Sequence, residues 1–135
     1  MRAIGLLAVL LTIVPPAVAA PPFDGSAPMR CAIKAVMSCT DPSVCVRGTA
    51  ATVNLPAVVT VDVGQRLIGG DASGRTVKIG SVGRDGGRLL LHGVESGLAG
   101  ISWNVVVGEA SGDMTGSVLG LDGGGFLMFG ACSSN

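Results

Sequence analysis

Ile101-Ser102-Trp103-Asn104-Val105-Val106-Val107-Gly108-Glu109-Ala110-Ser111-Gly112-Asp113-Met114-Thr115-Gly116-Ser117-Val118 is the stretch whose reading decides the fold. Ile101, Trp103, Val105 and Val107 fall on one side of an extended chain, with Ser102 and Asn104 on the other. A period of two is what a half-buried strand requires. Met114, Gly116 and Val118 alternate in the same way with Thr115 and Ser117. The intervening Glu109-Ala110-Ser111-Gly112 is turn chemistry, with a glycine free to take positive φ. Strands joined this closely run antiparallel, because a parallel pair needs a crossover of about a dozen residues or more.

Moving outward, the pattern repeats. Leu89 and Leu91 alternate with Arg88, Leu90 and His92; Val77 and Ile79 with Thr76 and Lys78; Val59, Val61 and Val63 with Thr60 and Asp62. Near the ends, Cys31, Ile33 and Ala35 oppose Arg30 and Lys34, and Phe126 and Met128 oppose Leu127 and Phe129. The run from Gln65 to Ile68 reads as a continuation or bend of the Val59 strand across Gly64. Gly-rich turns punctuate the runs at 69–74, 84–87 and 122–125, and no helical period of useful length intervenes. The count is about seven or eight short strands. We expect an all-β fold, a small antiparallel meander closed into a barrel, with a two-sheet β-sandwich as the alternative.

The N-terminus carries Arg2, a 12-residue apolar run from Ala3 to Val14, and Ala17-Val18-Ala19. This is the form of a signal peptide, with cleavage expected after Ala19. The apolar run is shorter than the roughly 20 residues that cross a bilayer, so no membrane span is expected in the mature chain. The domain organisation is then signal peptide 1–19, a Pro-rich lead-in 20–28, extended and partly mobile, and a single β domain 29–135. Export to the periplasm or the medium follows.

An exported small domain with an even cysteine count reads as disulfide-bonded. Cys31, Cys39, Cys45 and Cys132 allow three connectivities. We favour Cys39–Cys45, closing the Asp41-Pro42-Ser43 turn, with Cys31–Cys132, tying first strand to last. The competing zinc reading is poorly served by gaps of seven, five and 86 residues and a single His92. No metal and no cofactor are expected.

Lys+Arg and Asp+Glu are nine each over the whole chain. A nucleic-acid partner is not expected, because phosphate binding requires a basic excess on one face. His92, alone and opposite Leu89 and Leu91, reads as a surface residue rather than a triad base. Gly70-Asp71-Ala72-Ser73-Gly74 reads as a hairpin loop, and Asp122-Gly123-Gly124-Gly125 as a turn rather than a cation loop. Asp62, Asp71, Asp85, Glu95, Glu109, Asp113 and Asp122 mostly fall in or beside turns; an enzyme built on two of them would need the pair held across a cleft. No catalytic residue is assigned, and the chain is read as not an enzyme. Trp103 is a core anchor or the aromatic lining of a small cavity. Phe129 and Leu127 become an exposed apolar pair if Phe126 and Met128 face inward.

The signal segment, Cys31 and Cys39 on or near the first strand, the strand around Trp103, and the ending Gly125-Phe126-Leu127-Met128-Phe129-Gly130-Ala131-Cys132 carry a resemblance over most of the mature chain. It resembles uncharacterised small periplasmic β-proteins of alphaproteobacteria that end in Phe-Gly-x-Cys. It is more distantly similar to the C-type lysozyme inhibitors, which implies a periplasmic eight-stranded barrel with an end-to-end disulfide. Ser73-Gly74-Arg75-Thr76 shares a fragment of their Ser-Gly-x-Arg-Tyr type loop and lacks the aromatic. The expected function is an exported, non-enzymatic binding or interaction module whose partner would be a periplasmic protein. The alternative is a periplasmic inhibitor of a hydrolase such as lysozyme, presenting the loop Gly69–Arg75. The candidate binding residues are Trp103, Ser73, Arg75 and Phe129.

Overall fold

The structure, a computed structural model, describes residues 19–95, 97, 100–120 and 124–134. The expected signal segment lies outside the described residues except for Ala19, as do Asp122 and Gly123 of the expected turn. The fold is all-β. Strands β1 (Met29–Asp41), β2 (Val44–Gly48), β3 (Val58–Asp62), β4 (Leu67–Gly70) and β5 (Thr76–Lys78) form the first half. β6 (Ser81–Asp85), β7 (Arg88–Val94), β8 (Ser102–Gly108), β9 (Asp113–Leu119) and β10 (Gly125–Ser134) form the second. A single 3-10 turn, Ala50–Val53, sits between β2 and β3.

The strands make one antiparallel sheet in the order β5-β4-β3-β1-β10-β9-β8-β7-β6, with β2 also paired to β1. This sheet curls into a half-barrel rather than dividing into a sandwich. The first and last strands are neighbours, as expected, through a ladder running from Met29↔Ser134 to Cys39↔Gly125. The seam lies elsewhere, between β5 and β6, which are consecutive in sequence. Ile79-Gly80 stitches it: Ile79 N–H donates to the Arg66 carbonyl at 2.9 Å and Gly80 N–H to the His92 carbonyl at 2.8 Å. The segment changes partner at this point, continuing the β4 ladder on one side and the β7 ladder on the other.

Four expectations are corrected. The described residues form ten strands, because Val44–Gly48 and Ser81–Asp85 also pair. Gln65–Ile68 does not extend β3; the chain turns at Val63–Arg66 and Leu67–Gly70 folds back antiparallel on β3. The alternation of β1 breaks at Lys34, where a bulge lets Val36 rather than Ala35 enter the core. The lead-in is not a loose tail: Phe23 packs against the core and its N–H donates to the Glu109 carbonyl at 3.0 Å.

Both disulfides form as expected, Cys31–Cys132 and Cys39–Cys45. Each joins residues directly opposite in an antiparallel ladder. The first is buried in the core and the second sits on the β1–β2 edge. The core gathers Met29, Val36, Val61, Ile79, Leu89, Leu91, Trp103, Val105, Val107, Met114 and Met128 around the inner bridge. Among the described residues no polar or charged residue is buried with them. Burying a side chain such as Leu89 stabilises by about 1.5–3 kcal/mol, which is why the alternation holds so strictly on β7 and β8.

Candidate functional site

The two ends of the half-barrel differ. At one end the lead-in and three turns form a plug. Gly86 and Gly87, at φ 54° and 74°, make the two-residue β6–β7 turn that only paired positive-φ residues allow. Arg84 Nε donates to Glu109 Oε1 at 3.1 Å, and Arg84 Nη2 donates to the Asp24 carbonyl. Glu109 N–H donates to the Gly87 carbonyl at 2.9 Å, and Cys132 N–H to the Gly112 carbonyl at 2.8 Å. Leu89 and Val107 are both 0% exposed, and Leu89 and Val63 lie directly against Gly25.

At the other end the strands stand apart around a cavity of about 230 Å³. Its wall is Ile33, Val59, Val61, Ile68 and Val77 from one side, and Ile101, Trp103, Val105, Met114, Val118, Phe126 and Met128 from the other. Three polar residues line it, Asn54, Arg75 and Glu95. Asn54 and Arg75 are exposed and Glu95 is half-buried, so these mark the mouth. Asn54 holds a left-handed conformation, φ 56°, at the end of the 3-10 turn, a conformation asparagine tolerates. Arg75 Nη1 reaches the Asn54 carbonyl at 3.5 Å, so the β4–β5 loop leans toward the 3-10 turn across the opening.

Trp103 is 5% exposed and belongs to this wall. Its partner across the β7–β8 ladder is Gly93. A Cβ at Gly93 would stand 2.2 Å from Trp103 Cζ2, so the missing side chain is what makes room for the indole. The indole Nε1–H is buried and has no hydrogen-bond partner among the described residues.

Of the residues singled out from sequence, the fold brings Trp103 and Arg75 to one cavity. Ser73 lies in the same loop as Arg75, and its Oγ accepts from Arg75 N–H at 3.3 Å, without joining the lining. Phe129 is 45% exposed on the outer face of β10, across the sheet from the cavity. Leu127 is exposed beside it, as the inward placement of Phe126 and Met128 requires. Asn54 and Glu95 at the mouth were not foreseen; the left-handed asparagine is the one local signal that the sequence could have offered.

Outside the cavity the ionisable groups serve turns and edges. Asp41 accepts from Ser43 Oγ at 2.6 Å and Ser43 N–H at 2.7 Å, and Asp62 accepts from Gln65 N–H at 2.9 Å. Asp71 accepts from Thr60 Oγ1 at 2.8 Å and pairs with Arg30. The Thr60 hydroxyl first, and the Arg30 guanidinium second, hold its carboxyl below the usual 3.8. Asp24 and Asp41 are lowered in the same direction by Ser26 and Ser43. His92 is exposed, with Nδ1 3.0 Å from Asn104 Oδ1 on the neighbouring strand. Among the described residues no three of His, Cys, Asp and Glu come together as metal ligands would, and no helix is long and apolar enough to cross a membrane.

No family model matches the chain, and neither the curated proteins nor the solved structures include a significant match.

Proposed function

We propose that this chain is an exported, non-enzymatic binding module whose half-barrel holds a small apolar molecule, working in the periplasm or outside the cell. The observation that carries the reading is an apolar chamber of about 230 Å³, open at one end of a disulfide-stapled sheet that is plugged at the other. An apolar cavity of about 150 Å³ already binds benzene, so this one suits a guest of roughly ten heavy atoms. Ligand sites are commonly concave and apolar with a few polar groups fixing orientation, and Asn54, Arg75 and Glu95 supply those groups at the mouth. Two disulfides support a location outside the reducing cytosol.

The test is a titration of the oxidised protein with naphthalene, read by Trp103 fluorescence. Saturable binding is expected, with a thermal stabilisation that follows ligand concentration as linkage demands. Val105→Phe, which projects a ring into the chamber, should abolish both while the protein remains folded. Absence of binding, or binding that survives the filled chamber, would refute the reading.

The inhibitor reading ranks second. Asp71, anchored by Thr60 and Arg30, gives the Gly69–Arg75 loop a fixed base. Arg75 turns back toward Asn54 instead of outward, which disfavours an enzyme cleft as its target. Inhibition of a lysozyme or protease panel at micromolar concentration would favour it over the chamber.

A further inference from the structure

The ends of the strand order, β5 and β6, are drawn together at the Ile79-Gly80 seam. β2 lies off that order and pairs only with the second half of β1. Among the described residues no other strand pairs with its outer side, and no backbone bond outside the β1 ladder reaches it. A bare strand edge is a row of unpaired N–H and C=O groups, and proteins commonly blunt it with Lys, Pro or a covering segment. Val44–Gly48 holds neither Lys nor Pro, and its apolar side chains stand in the open: Val44 is 50% and Val46 60% exposed. The Cys39–Cys45 bridge fastens β2 to β1, so the edge is held ready in the sheet. Charge says what fits there. Asp41 sits at the start of β2, where it accepts from Ser43 N–H and Ser43 Oγ, and Arg47 sits near the end of the strand. Neither has an ion-pair partner among the described residues. A strand that is negative at its start and positive at its end matches an antiparallel copy of itself.

We propose that β2 pairs antiparallel with β2 of a second copy of this chain about a two-fold axis, so that one half-barrel sheet continues into the next. With Cys45 opposite the partner's Cys45, Val44 of each copy lies across from the partner's Val46. Arg47 then lies across from the partner's Ser43 and the Asp41 carboxylate held there. The contact is isologous, so it closes at the dimer. Valine pairs and opposite charges facing each other across an antiparallel ladder are both stabilising. One pair of five-residue strands is small beside the roughly 1,200–2,000 Å² of a stable interface, so the dimer is weak and reversible. No residue of β2 lines the chamber, so dimerisation and ligand binding are separable.

Sedimentation equilibrium of the oxidised protein, from micromolar to millimolar, should show monomer passing to dimer and stopping there. Over the same range the β2 amides should slow in hydrogen exchange. In a sample mixing ¹³C-labelled and unlabelled chains, methyl contacts should join Val44 of one copy to Val46 of the other. Val46→Lys changes a side chain that is 60% exposed, so the fold tolerates it. It should keep the protein monomeric throughout and leave chamber binding as in the wild type. Arg47→Glu should weaken dimerisation about 2–30-fold, the range of two exposed ion pairs, and added salt should weaken the wild-type dimer. A protein still monomeric at millimolar concentration would overturn the proposal. So would a dimer that survives Val46→Lys, or one whose intermolecular contacts come from Leu127 on the outer face of β10. Capture of an added extended peptide by β2 without self-association would overturn it as well, making the edge a site for a foreign strand.

Discussion

Val107 and Val105 lie two residues apart on the same face of β8, and their surroundings are opposites. Val107 is sealed at 0% exposure at the plugged end, with Leu89 opposite it in the ladder. Val105 looks into the chamber. The plugged end has what a small core needs: tight turns, a lead-in folded over it by Phe23, and the inner disulfide. The open end keeps the same apolar alternation but its strands enclose space instead of one another. The difference teaches that hydrophobic patterning specifies which face turns inward, whereas the packing of that face depends on what closes the end.

The largest expected effect separates the two bridges. Removing Cys31–Cys132 as a double alanine variant frees a loop with a sequence separation of 101, against 6 for Cys39–Cys45. Loop-closure entropy puts these losses at about 4.7 and about 2 kcal/mol. Urea denaturation of the two variants should show that ranking, and equal losses would remove the inner bridge from the account of the plugged end.

Next come truncations. Leu89→Ala at the plugged end should cost about 2–5 kcal/mol, because it opens a cavity in a filled core. Val77→Ala, on a half-buried wall that already borders empty space, should cost about 1 kcal/mol. A third comparison concerns glycines. Gly93→Ala drives a methyl group into the Trp103 ring and should cost about 1–3 kcal/mol, disturbing the tryptophan emission as well. Gly86→Ala has open space around it and a φ of 54°, so it should cost only the left-handed strain of about 1–2 kcal/mol, with emission unchanged.

The smallest effect is electrostatic. The folded protein holds the Asp71 carboxyl below its usual value, so the ionised form is the one that folding favours. That contribution is present above pH 3.8 and is lost as pH falls through the lower folded value. Asp71→Asn should therefore make stability fall less steeply on acidification below about pH 4, as read by denaturation at stepped pH. The change should be slight, since the pair is exposed.

Much of the fold was legible because the strands that bury one face announce it. β7, β8 and β9 alternate without interruption, and Gly86-Gly87 and Gly112 mark their turns. β2 and β6 escaped because edge strands have no buried face to pattern: β2 is almost wholly exposed, and Val82 is the only apolar side chain of β6. The bulge at Lys34 escaped because a shift of one residue is a property of the β1–β10 pairing, not of β1 alone. At the candidate site, Trp103 stood out as the single tryptophan and Arg75 through the Ser73-Gly74-Arg75-Thr76 loop fragment. Asn54 and Glu95 join them only because the 3-10 turn, the β4–β5 loop and the end of β7 converge on one opening, which no local pattern encodes.

The central claim is a hollow end built on a packed one, and a matched pair of enlargements on β8 tests it most directly. Val107→Phe should destabilise by about 1–3 kcal/mol, the cost of overpacking a filled core. Val105→Phe should leave stability unchanged or raise it by about 0.5–2 kcal/mol, as filling a void does. Equal destabilisation by the two phenylalanines, measured by denaturant unfolding of the oxidised proteins, would contradict the account.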